Sequence, residues 1–221
     1  MKSIGALLDT NVRLSTYTHS WVYARRREHR GNRFVTWIDE VPALRILRNQ
    51  TPEQCRAIYE SLGMIAEMSR QGFVALYESD EILAEFLNFR PAGFGLGKFD
   101  VFSEVKIKHV RAPIARGFVI DASYTPNGTR EAWHAFLAQI RHPRFLKLLK
   151  RTGGDHAADL YHVWEAEHNG LDAFVTLDVK FVKAVTKPKA LETAVKICTP
   201  SEFILWVTMK NSGDSDADLG A

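Results

Sequence analysis

Cysteine is scarce in this chain. Cys55 and Cys198 are the only two in 221 residues, far apart and without the paired spacing of a zinc site. That excludes a disulfide scaffold and points to a reducing, cytoplasmic compartment. No apolar run approaches membrane-spanning length, and the N-terminus lacks the basic start and long apolar core of a signal peptide. No membrane partner is therefore expected. Charge of one sign is also in short supply: 29 Lys and Arg stand against 26 Asp and Glu, a net +3. The total identifies no nucleic-acid partner, so only local clustering could. The glycine-rich stretch 91–97 has neither the Lys-Ser/Thr of a P-loop nor a dinucleotide fingerprint, and reads as a linker or lid. No Ser-His-Asp order, nucleophile elbow or internal repeat is visible. His156, His162 and His168 recur every six residues, which scatters them around a helix and forms no zinc site.

What remains is an ordinary globular composition, 46% hydrophobic and 25% charged, in a chain long enough for a sizeable core. The expected organisation is one domain over 1–210 and a polar, Gly- and Asp-rich tail over 211–221, disordered in solution. Short apolar runs alternate with amphipathic helices, which implies an α/β fold with a mainly parallel central sheet and helices on both faces. The short apolar runs at residues 4–8, 73–77 and 173–175 are expected to be strands. Thr51-Pro52-Glu53-Gln54 has the residues of a capping box with Pro in the first turn. It starts a helix to about residue 70, with Cys55, Ile58, Leu62 and Ile65 on its buried stripe. Further helices are expected over 155–167, 129–140 and from Pro143. Val105 to Val110 and Phe118-Val119-Ile120 suit an added hairpin or helix.

Four acids stand at places where α/β proteins build sites. Asp9 follows the apolar run Ile4-Gly5-Ala6-Leu7-Leu8 and also suits a helix N-cap. Asp178 ends the run Ala173-Phe174-Val175-Thr176-Leu177, at the carboxyl edge of the expected sheet. Asp159 falls in the first turns of a helix, where the dipole tolerates a carboxylate. Glu81 and Glu85 lie one turn apart on a helix opened by Ser79-Asp80; Glu81 is expected to face water. Asp155 is expected to cap the helix that carries Asp159, with a role as auxiliary acid as the alternative. His162 is expected to be structural, with substrate contact as the alternative. Hard carboxylate ligands suit Mg²⁺ or Mn²⁺. Four carboxylates brought together without a cation would repel one another.

In order along the chain, these pieces resemble the PIN-domain nucleases, the VapC-like toxin ribonucleases and their relatives in RNA processing. The resemblance rests on Leu7-Leu8-Asp9-Thr10-Asn11, on Ser79 with Glu85 six residues on, on Asp159 with Ala166, and on Thr176-Leu177-Asp178 with Phe181. Residues 195–203 resemble the family's last strand and Pro-initiated helix. The resemblance covers the first dozen residues, about 72–90 and about 153–207, and leaves insertions at about 12–50 and 90–150. It implies a PIN-like three-layer α/β/α fold and a Mg²⁺- or Mn²⁺-dependent endoribonuclease. Asp9, Glu85, Asp159 and Asp178 would be the metal ligands and catalytic residues, with Asn11 and Thr176 orienting water or phosphate. A toxin–antitoxin pair is one setting it allows, with an antitoxin protein or a second copy of the chain as partner.

Two further readings stay open. A PIN-like module could bind RNA or a protein without cutting. A haloacid-dehalogenase-like phosphatase could use Asp9 as nucleophile, but that chemistry wants a second Asp where this chain has Asn11. Within 12–50, Arg25, Arg26, Arg27 and Arg30 form a dense basic cluster near Trp21, Tyr23, Phe34 and Trp37. Such residues suit phosphate neutralisation and stacking on unpaired bases, as readily as they suit a solvated basic face. A second basic stretch holds Lys106, Lys108, His109, Arg111 and Arg116.

Overall fold

Ile4–Leu8, all five residues buried, forms β1 at the middle of a parallel sheet. Burial on both faces is what a continuous apolar strand in such a sheet requires. The structure is a computed structural model that describes residues 3–30, 33–47, 50–89, 100–114, 126–152, 156–186 and 192–212. Side chains of 19–44, 87–89 and 126–130 are outside that description. After β1 come α1 (Thr10–Ser15), β2 (His19–Arg30), β3 (Arg33–Leu44), α2 (Pro52–Arg70), β4 (Val74–Ser79), α3 (Asp80–Phe89) and β5 (Ile107–Val110). Then follow α4 (Pro126–Gln139), α5 (Pro143–Thr152), α6 (Ala157–His168), β6 (Ala173–Val175), α7 (Val179–Thr186), β7 (Lys196–Cys198) and α8 (Pro200–Asn211).

The main sheet has the order β5-β4-β1-β6-β7, and every pairing in it is parallel. Period-two alternation divides the core between its faces. On one side Ile4, Ala6 and Leu8 of β1, with Ala173 and Val175 of β6, pack with Leu62 and Ile65 of α2 and Phe203 and Val207 of α8. On the other, Leu7 and Phe174 pack with Ile82 of α3, Leu137 of α4, Phe145 and Leu148 of α5, Tyr161 and Trp164 of α6, and Phe181 of α7. The architecture is a three-layer α/β/α arrangement. Chain order runs from β1 toward β4 and β5 on one side, then crosses back to β6 and β7 on the other. The strand order therefore reverses between β1 and β6, the place where open α/β sheets form a crevice.

Local signals set most element ends. Thr51 and Gln54 make both bonds of the capping box at α2, and Thr199 and Glu202 do the same at α8. Gly72 and Gly170 have φ of 81° and 63°, left-handed conformations that glycine adopts freely, just after α2 and α6.

Three expectations are corrected, and the 12–50 insertion, for which there was none, takes a defined shape. Residues 105–110 supply a parallel edge strand, β5, because β4 offers it an unpaired edge. The 12–50 insertion is α1 followed by a separate antiparallel pair, β2 with β3, in continuous register from His19↔Leu44 to Arg30↔Arg33. Helix α6 begins at Ala157 with His156 in the cap position, so the cap is not Asp155, which lies outside the described residues. On α2, Tyr59 is buried while Ile58 is only half-buried, which turns the stripe slightly. The glycine-rich stretch 91–97, Arg116, the run 118–120 and the tail beyond Ser212 also lie outside the described residues. Among those described, no helix is long and apolar enough to cross a membrane.

Candidate metal centre

The turn after β1 fixes the first acid. Asp9 is in extended conformation and caps α1, its Oδ1 accepting from the Thr10 N–H at 2.7 Å. Its Oδ2 accepts from the Thr176 hydroxyl at 2.6 Å, just past the end of β6. The same hydroxyl oxygen accepts from Asn11 Nδ2 at 3.1 Å and from the Asp178 N–H at 3.0 Å. Asn11 Oδ1 in turn accepts from the Leu177 N–H at 2.9 Å. Asn11 and Thr176 thus lock the β1 and β6 turns together across the crevice.

Thr10 carries the next link. Its hydroxyl donates to Glu85 Oε2 at 2.5 Å, which brings α3 to the same edge. Glu85 Oε1 stands 3.8 Å from His162 Nε2 on α6. His162 is buried, and its Nδ1 lies 2.6 Å from Glu165 Oε2, which also accepts from the Ser79 hydroxyl at 3.0 Å. Ser79 Oγ also accepts from the Ile82 N–H at 3.3 Å, so one serine caps α3 and holds Glu165. The Trp133 and Phe174 rings each stand with centroids 6.2 Å from the His162 ring, at interplanar angles of 25° and 28°.

The remaining acids face the other side of the crevice. Asp159, in the first turn of α6, has Oδ2 3.5 Å from His156 Nδ1. Asp178 caps α7, its Oδ1 accepting from the Lys180 and Phe181 N–H groups at 2.9 Å each. One ligand atom from each of His156, Asp159 and Asp178 lies within 4.8 Å of the others, and all three residues are half-buried. These three could hold a metal ion.

Electrostatics connect the two sides. Burial pushes the Asp9 carboxyl up to about 7; His162 and the Thr176 hydrogen bond oppose the rise, while Asp159 and Glu85 add to it by repulsion. Asp159 is also raised, chiefly by burial, with Asp178 adding repulsion and the two histidines opposing. Burial would lower His162, but Glu165 and Glu85 outweigh it and hold the imidazole well above its ordinary range. Asp9 is therefore close enough to repel both Glu85 and Asp159, and Asp159 to repel Asp178. A cation would offset that repulsion.

The residues read from the sequence do not all come together. Of the four acids, Asp159 and Asp178 join His156 in the group whose ligand atoms lie within 4.8 Å of one another. Asp9 and Glu85 are outside that group. Asp9 is close enough to feel Glu85 and Asp159, and is hydrogen-bonded through Thr176 to Asn11 and the Asp178 turn. Arg25, Arg26, Arg27 and Arg30 lie on consecutive and near-consecutive positions of β2, with their side chains outside the described residues. Glu81 is a correction: it is buried rather than solvated, beside Ile82, which packs into the core. Thr10, His156 and Glu165 are additional. The signals for them were the i,i+3 spacings His156/Asp159 and His162/Glu165, which place each pair on one helix face.

Compared with protein-family models, with curated proteins and with solved structures, the chain matches none. The likeness to PIN domains therefore rests on the sequence motifs alone.

Proposed function

We propose that this protein is a PIN-like, divalent-metal-dependent endoribonuclease. The observation that carries the reading is the group His156, Asp159 and Asp178, whose ligand atoms lie within 4.8 Å of one another, with Asp9 close enough to feel Asp159 and Glu85. The donor set fits a hard or borderline cation, since it offers carboxylate oxygens and imidazole and no thiolate. A divalent ion bound there would neutralise phosphate charge and lower the pKa of a water molecule. The chain's own residues do the rest. Thr176 and Asn11 fix the Asp9 carboxylate, and Thr10 fixes Glu85. His162, paired with Glu165, presents Nε2 toward Glu85 and limits the repulsion among the acids. Half-burial of Asp159 and Asp178 leaves an opening for a backbone phosphate. The basic run on β2 suits contact with more distant phosphates. The toxin of a toxin–antitoxin pair fits this reading, with an antitoxin protein and a second copy of the chain as the partners to seek.

The test is cleavage of a mixed single-stranded RNA pool with Mn²⁺, with and without chelator. Asp178→Asn should lose at least a hundredfold in rate while keeping its circular dichroism spectrum. Equal cleavage in chelator, or by Asp178→Asn, would remove the metal-nuclease reading. Calorimetric titration with Mn²⁺ separates it from a non-cutting RNA-binding module, which would bind RNA without needing the ion.

A further inference from the structure

His156 is the nitrogen donor of the candidate centre. It occupies the cap position of α6, yet its side chain makes no capping hydrogen bond, so the imidazole is not committed to the helix end. Its ring leans on Phe181, centroids 5.2 Å apart, which holds it over the start of α7. At 3.5 Å, the approach of Nδ1 to Asp159 Oδ2 is at the outer limit of a hydrogen bond. Asp178 is arranged in a complementary way. Both helix N–H contacts go to Oδ1, and the second oxygen is free of them. A nitrogen and two carboxylate oxygens, one from each residue, share a region no more than 4.8 Å across. Two ligands of one tetrahedral ion at 2.0–2.1 Å stand about 3.4 Å apart, so the widest pair needs to draw in by up to about 1.4 Å. Rotation about side-chain bonds supplies that.

Charge agrees with geometry. Each helix N-terminus contributes about half a positive charge, so α6 and α7 together disfavour a cation by about one charge. Two carboxylates contribute two negative charges and outweigh them. The nitrogen decides which cation. Mg²⁺ takes oxygen ligands almost exclusively and gives up its water reluctantly, whereas first-row transition ions accept imidazole readily.

We propose that His156, Asp159 and Asp178 form a mixed nitrogen–oxygen site that selects a first-row divalent transition ion over Mg²⁺. This deepens the nuclease reading and rests on it for the role of the ion in cleavage, though not for its binding. The probe is Mn²⁺ itself, followed by pulsed electron paramagnetic resonance on the full chain. Wild type should show ¹⁴N coupling from a directly bound imidazole. His156→Ala should lose that coupling and bind Mn²⁺ at least tenfold more weakly, with Mg²⁺ affinity changed less than threefold. A melting curve in chelator checks that the variant is folded, and His156→Gln serves if the alanine variant is not. Bound Mn²⁺ without ¹⁴N coupling in wild type, or coupling that survives in a folded His156 variant, overturns the proposal and leaves the nuclease reading standing. Coupling present in a protein that cuts no RNA does the reverse. A wild type that binds no divalent ion overturns both.

Discussion

Asp9 has both carboxylate oxygens committed, one to a backbone N–H and one to the Thr176 hydroxyl, and it is buried beside other acids. Its pKa rises from the ordinary 3.8 to about 7, with burial as the main cause. Between those values the folded protein holds a proton that the unfolded chain has lost. In chelator, wild-type stability should therefore fall as pH rises from about 4 to 7, by a few kcal/mol, and level off above. Asp9→Asn removes that slope. It also puts an amide against Thr176 Oγ1, which already accepts two hydrogen bonds, so one donor is left unsatisfied at about 1–3 kcal/mol. The variant should be weaker than wild type near pH 4 and match or exceed it by pH 7.5, because the wild-type loss over that range is the larger of the two effects. Urea melts across that range check this, and parallel curves would refute it. Glu165→Ala strands the buried His162 and should cost about 3–5 kcal/mol in urea denaturation, with Glu165→Gln costing less. Asp9, Asp159 and Asp178 were legible as candidates because each sits just past a strand or in a helix first turn, and Glu85 only through its spacing from Ser79. The burial of Glu81 and Glu165 was not, since it depends on distant elements closing over them.

At the scale of elements, helix starts are written most plainly. Thr51-Pro52-Glu53-Gln54 and Thr199-Pro200-Ser201-Glu202 both form complete capping boxes because every partner lies within four residues. Thr51→Ala and Thr199→Ala should each cost about 1 kcal/mol in denaturant melts and leave Mn²⁺ affinity unchanged. Strands were legible where burial on both faces forces a continuous apolar run, as in β1 and β6. They were not where pairing alone makes the strand. Ile107-Lys108-His109-Val110 carries no strong pattern and becomes β5 only because Leu76 to Ser79 of β4 is there to receive it. The long β2/β3 pair was missed for another reason. Its arginines drew attention as charge, while Gly31-Asn32 between two runs rich in β-branched and aromatic residues is itself a hairpin signal.

For the molecule as a whole, the two sheets are independent in their pairing: β2 and β3 bond to each other, and the other five strands form their own ladder. The Arg45 N–H donates to the Thr18 carbonyl at 2.9 Å, so the chain enters and leaves the hairpin at one point. Replacing residues 19–44 by a short Gly-Ser link should leave a folded protein that still binds Mn²⁺. It should bind single-stranded RNA more weakly, with a shallower dependence on salt, because several phosphate contacts are removed at once. Unchanged affinity and salt slope would show that the basic strand takes no part. The central place of β1 has one more consequence, and it concerns time. Asp9 is made early, but its partners Thr176 and Asp178 come about 170 residues later, counted from their numbers in the chain. At about 5–20 residues per second, the ribosome needs roughly 8–34 s to supply them. Until then β1 lacks its β6 neighbour and Asp9 lacks the Thr176 hydroxyl. A nascent chain is thus without the candidate metal centre for most of its synthesis, and that cluster is complete only when the last third of the protein has emerged.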